Sequence, residues 1–148
     1  MFKKNIKIIS LCLMFALILG CTLTSAQVAS AKTQELHATL MQKSNPIYRK
    51  IVKNNAPVAY KVKIKKKTIV IHGSLSNGYD DRKQVSNIGV HTYKLSSNIK
   101  YVSRGGEAPD QKMKKKEFKK YLKRNADSGL GLVLEFKQNK VAKVAIAS

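Results

Sequence analysis

From Val58 onward the apolar residues recur at every second position. Val58, Tyr60, Val62 and Ile64 alternate with Ala59, Lys61, Lys63 and Lys65. A side-chain period of two belongs to an extended strand with one dry and one wet face. Lys66-Lys67 turns the chain, and residues 68–72 (TIVIH) read as the partner strand. The alternation returns at Leu130, Leu132, Leu134 and Phe136. Gln138-Asn139 then turns, and residues 141–147 come back as a last strand, so a C-terminal hairpin is expected. Between these two regions, residues 73–83 (GSLSNGYDDRK) form a loop whose tightest turn signal is Asn77-Gly78. A third strand is expected over 88–95, a turn at Ser96-Ser97-Asn98, a fourth strand over 99–103, and an open loop over 105–110.

Residues 112–125 break the pattern. Phe118, Tyr121 and Leu122 fall at i, i+3 and i+4, with Met113 earlier and Glu117 beside it, and Gly129 stops the helix. Lys114, Lys115, Lys116, Lys119, Lys120, Lys123 and Arg124 cover the other faces. A helix this short is marginal alone, so its apolar stripe is expected to pack on the sheet while the lysines stay wet. Ahead of the first strand, Leu36, Leu40 and Met41 stand at helical spacing, so residues 32–45 read as a short helix or a partly ordered arm. Asn45-Pro46 reads as an N-cap followed by the first position of a two-turn helix that carries Ile47, Tyr48, Ile51 and Val52. The expected fold class is α+β. A short N-terminal helical segment (32–57) precedes a single domain (58–148), a small curled antiparallel sheet or OB-like barrel. Its helix lies between the early strands and the C-terminal hairpin.

Residues 1–31 read as a leader. Lys3, Lys4 and Lys7 precede the apolar run 8–20 (IISLCLMFALILG). That run is too short for a hydrocarbon core of about 30 Å and suits a secretory signal. Ala29-Ser30-Ala31 offers a cleavage site that leaves Lys32 first, and Thr24-Ser25-Ala26 a nearer, weaker one. Leu17-Ile18-Leu19-Gly20-Cys21 resembles a bacterial lipobox, which would make Cys21 a lipidation site. The expectation is a protein secreted or held at the cell envelope, with a lipid anchor through Cys21 as the alternative.

Both cysteines, Cys12 and Cys21, lie in that leader. The remaining domain has no disulfide and no thiolate nucleophile or ligand, so packing alone must hold it. Three lysines lie in the leader and all eight acids lie outside it, which leaves +18 on the rest of the chain. Such a field favours anionic partners: a cell-wall phosphate polymer, an acidic lipid surface, or nucleic acid. Nearly all of the cations are lysine, a hydrated point charge, so recognition is expected to be by charge rather than by base reading. The candidate anion-binding residues are Lys61, Lys63, Lys65, Lys66 and Lys67 on the strand face and its turn. To these the helix adds Lys115, Lys116, Lys119, Lys120 and Lys123.

No site for bond-breaking chemistry stands out. His37 sits in a polar segment, while His72 and His91 would meet only if their strands were neighbours. Asp80-Asp81 reads as a turn pair beside Arg82, and Glu107 and Asp110 belong to the second loop. Any catalytic set would draw on Asp80, Asp81, His91 and Arg104. There is no G-x-S-x-G, no phosphate loop and no metal-ligand spacing, and neither cofactor nor metal is expected. The reading is a non-enzymatic cationic binding protein. The alternatives are a protein–protein interaction module (an inhibitor, immunity factor or toxin component) and, last, a small secreted hydrolase or nuclease.

Overall fold

The computed structural model describes residues 33–78 and 86–148. The expected leader with Cys21, and the loop positions Asp80 and Asp81, lie outside them.

The strands are β1 (Gln34–Leu40), β2 (Val58–Ile64), β3 (Thr68–Gly73), β4 (Ser76–Asn77), β5 (Gly89–Arg104), β6 (Gln111–Met113), β7 (Gly131–Lys137) and β8 (Lys140–Ala147). The helices are α1 (Tyr48–Lys53) and α2 (Lys115–Arg124). Six strands close on themselves in the order β1-β2-β3-β5-β8-β7 and back to β1, a mostly β architecture with few helices. β4 pairs with β1, and β6 with β5.

The period-two alternation builds the interior. Leu36 and Leu40 of β1, Ile69 and Ile71 of β3, Leu132 and Leu134 of β7, and Val144 and Ile146 of β8 share one buried cluster. Phe118 and Leu122 of α2 join it, and the Phe118 ring lies 5.2 Å from that of Tyr101, tilted by 37°. The helix thus adds its apolar stripe to the barrel core, as its spacing requires. Val102, Val133, Ala145 and Ala147 alternate with those inward residues and form a second buried cluster on the outward side.

The C-terminal hairpin is as expected. Gln138 and Asn139 both take positive φ (49° and 59°), the two-residue type I′ turn whose twist suits paired strands. Gly73 marks the tightest backbone approach. Its φ is 152°, and a Cβ there would fall 1.8 Å from the Val58 carbonyl oxygen. That closeness lets the Ser74 N–H donate to the same oxygen at 2.8 Å.

Four expectations are corrected. Residues 34–40 are a strand, not a helix or arm: Leu36, Ala38 and Leu40 face the core while Glu35 and Thr39 alternate with them. The proposed boundary at 57/58 therefore cuts through the barrel, and residues 32–148 form one compact unit. Ser96-Ser97-Asn98 does not reverse the chain. β5 runs on through it, pairing with β3 before the bend and chiefly with β8 after it, with a register shift between Leu95 and Lys100. The sheet is also not purely antiparallel, since β1–β2 and β5–β8 are parallel.

The helices lie close to their expected bounds. The Asn45 side chain accepts the Ile47 N–H at 3.0 Å, and α1 starts just after it. α2 begins at Lys115 because residues 111–113 are taken by β6. Glu117 reaches back to accept the Lys114 N–H at 3.0 Å, half of a capping box.

Candidate functional site: a lysine-walled groove

β1 and β2 run side by side only at Thr39↔Val58 and Leu40↔Ala59. Beyond Leu40 the chain leaves the wall, while β2 continues to Ile64. The track that β1 vacates is a groove of 450 Å³ between β2 and the C-terminal half of α2. Lys61 and Lys63 stand on its strand side, Lys119 and Lys123 on its helix side. Leu40, Ala59, Val62, Ile64 and Leu122 supply apolar surface between them, and among the described residues no carboxylate lines it. Two lysine segments far apart in sequence thus become two walls of one feature.

The other candidate lysines are placed around it. Lys65, Lys66 and Lys67 are exposed at the β2–β3 turn. Lys115 holds that turn to the helix, donating its Nζ to the Lys65 carbonyl at 2.6 Å. Lys116 and Lys120 are exposed on α2 outside the groove, and Lys120 flanks a shallow depression with Glu117, Lys123 and Arg124.

An aromatic cluster adjoins the strand side. The Tyr60 ring meets Tyr48 edge-on at 6.1 Å and lies 6.0 Å from the His72 ring, and the Lys43 ammonium sits 4.2 Å above it. Tyr60 was expected on the dry face with Val62. A bulge between Ala59 and Lys61 turns it to the His72 side instead. Sequence alternation continues smoothly through that position, so nothing in the pattern signals the bulge. Partial burial, then the charges of Lys61, Lys63 and Lys43, holds the His72 imidazole below its ordinary range.

Among the described residues the candidate catalytic side chains do not converge. β3 and β5 are neighbours, but the register pairs His72 with Val90 and Ile71 with His91. One position of offset puts the two imidazoles on opposite faces of the sheet. The His91 Nε2 instead contacts the carbonyl oxygens of Gly73 (3.1 Å) and Asn87 (3.0 Å). His37 is buried on β1, its Nε2 3.1 Å from Glu35 Oε2. Among the described residues no cluster of three or more His, Cys, Asp or Glu could hold a metal ion.

Arg104 is committed elsewhere. It bonds Asp110 through Nε (3.0 Å) and Nη2 (3.3 Å), and Glu135 through Nη2 (2.8 Å). Lys143 joins both carboxylates, at 3.5 Å to Asp110 and 2.9 Å to Glu135. The hydrogen bonds to Asp110 and Glu135 raise the pKa of the guanidinium, and the one from Arg104 pulls the Asp110 carboxyl below the usual range. Burial pushes Glu135 up, but hydrogen bonds from Lys143 and Arg104 outweigh it and the net direction is down. The four side chains form a closed ionic network on the barrel wall. Glu107 is exposed in the neighbouring loop.

Among the described residues no helix is long and apolar enough to cross a membrane. Comparison of the chain with protein-family models, with curated proteins and with solved structures returns no match.

Proposed function

We propose that this chain is an exported, non-enzymatic cationic protein that binds an anionic polymer or acidic surface through the groove between β2 and α2. One observation carries the reading: Lys61 and Lys63 face Lys119 and Lys123 across a cleft whose lining, among the described residues, holds no carboxylate. Cations gathered on both sides of a concave surface reinforce one another's field and raise the local concentration of an anion.

Strand order adds support. Without β1, the order β2-β3-β5-β8-β7 follows the 1-2-3-5-4 order of an OB barrel, with α2 between the third and fourth strands. β1 is then an extra strand inserted at the closure. OB barrels bind extended polymers on an outer face bordered by the first hairpin turn, which here carries Lys65, Lys66 and Lys67. Export rests on the leader read from residues 1–31, through a free product or a lipid-anchored Cys21.

The test is salt-dependent retention on heparin and on teichoic-acid resin. The reading expects elution only at high salt, with log affinity falling steeply with log salt. Elution at low salt overturns it. A protein partner is a second reading, favoured by the open main-chain edge of β2.

A further inference from the structure

Among the described residues, β2 has an unpaired stretch of edge beyond Ala59. In an antiparallel pair, residues alternate between those that exchange main-chain hydrogen bonds with the partner and those whose N–H and C=O point the other way. The Lys65 N–H donates to the Thr68 carbonyl at 2.8 Å. Counting back along the β2–β3 register, Lys63↔Val70 and Lys61↔His72 are the bonded pairs. The main-chain groups of Val62 and Ile64 therefore point away from β3, toward the groove. Among the described residues no strand lies beside them, because β1 pairs with β2 only as far as Ala59. Among the described residues the last bond on that edge is the Met41 N–H to the Ala59 carbonyl at 3.2 Å.

We infer that an extended acidic polypeptide segment of a partner protein binds in this groove as an added strand on the β2 edge, continuing the track of β1. This goes beyond the charge-based reading above. Two features select a polypeptide over a phosphate polymer. The edge presents carbonyls and N–H groups at the spacing of a strand; a peptide backbone supplies a donor and an acceptor in that register, whereas ionised phosphate groups only accept. The groove also offers Leu40, Val62, Ile64 and Leu122 to apolar side chains, and an extended peptide can supply one at every second position.

Charge selects the sign of the segment. The alternate side chains that do not enter the apolar floor meet Lys61 and Lys63, and Lys119 and Lys123 border the groove on the helix side. The same lysines repel a second copy of this cationic chain, which is how edge strands commonly avoid self-pairing. An acidic strand meets no such barrier.

The probe is a short fluorescein-labelled peptide of alternating glutamate and valine, titrated into the full chain by anisotropy. Its control is the same peptide N-methylated at every backbone amide, which keeps the charge and removes the N–H donors from both edges of the strand. The expected result is binding of the first, with the methylated peptide at least about tenfold weaker, as the loss of one or two hydrogen bonds requires. The variant Val62→Pro, shown by thermal melting to fold, is expected to lose the unmodified peptide. It removes the groove-facing N–H and spares the bonds to β3. Equal affinity for both peptides, or retention on heparin with no peptide binding, overturns the added strand and leaves the polyanion reading standing. Failure of peptide and heparin alike overturns both. A concentration-dependent dimer that excludes the peptide makes a second copy the occupant and overturns the inference.

Discussion

Lys115 at the start of α2 donates its ammonium to the main-chain carbonyl of Lys65, 2.6 Å away, and so anchors the helix to the β2–β3 turn. This lysine was grouped by its sequence with the anion-binding cations, but it also holds up one end of the groove. Lys115→Met keeps the aliphatic stem and loses the bond. Because the contact is solvent-exposed, the expected loss is about 1 kcal/mol, read as a lower urea midpoint with an unchanged slope.

His72 reports on the lysine field. Partial burial and then Lys61, Lys63 and Lys43 depress its pKa. Lys61→Ala with Lys63→Ala is expected to move its NMR titration upward, and saturating heparin to do the same in the unsubstituted protein by neutralising those charges. A midpoint unmoved by heparin that is nevertheless bound would place the anion away from this face.

The ionic network on the barrel wall makes stability depend on pH. Asp110 and Glu135 have lowered pKa values in the folded state, so the unfolded chain takes up protons first as the pH drops. Their contribution is complete above the ordinary carboxylate range and is lost as the pH falls through the depressed folded values. Glu135→Gln is expected to cost about 1–2 kcal/mol at neutral pH. Urea midpoints of the two proteins should converge as the pH is taken below about 4.

Gly73 admits no side chain. Its Cβ would overlap the Val58 carbonyl at 1.8 Å, and backbone cannot move aside cheaply. Gly73→Ala is expected to lose about 3 kcal/mol or more, or to fail to fold. Chemical denaturation of this variant beside Gly106→Ala, where a Cβ meets nothing within 4 Å, separates the clash from the cost of positive φ.

Where local chemistry decides structure, the sequence was readable. Residues 58–65 and 130–136 alternate, and the stripe Phe118, Tyr121, Leu122 belongs to one helical face. β1 was missed because Leu36 and Leu40 satisfy both a helical i, i+4 spacing and a strand's i, i+4 on one face. Only Ala38 separates the two, and alanine is a weak strand signal. Ser96-Ser97-Asn98 carries genuine bend chemistry, but the bend lets one long strand change partners instead of reversing. The parallel pairings leave no mark, since they join residues without a short turn between them. Half of the groove was visible as lysine content. That the two lysine segments face each other follows from barrel closure, which no local pattern encodes.

That closure has a consequence for the order of assembly. β1 lies antiparallel to β7 along nearly its whole length, yet it touches its nearer sequence neighbour β2 only at its last two residues. During synthesis, Leu36, Ala38 and Leu40 emerge long before Leu132 and Leu134, the residues that shelter them. The first strand of the wall thus gains its main partner only with the last ones, a closure across a long intervening chain. Until the final hairpin forms, the edge of β1 that pairs with β7 is open. The nascent barrel is therefore most open to strand capture before it is complete.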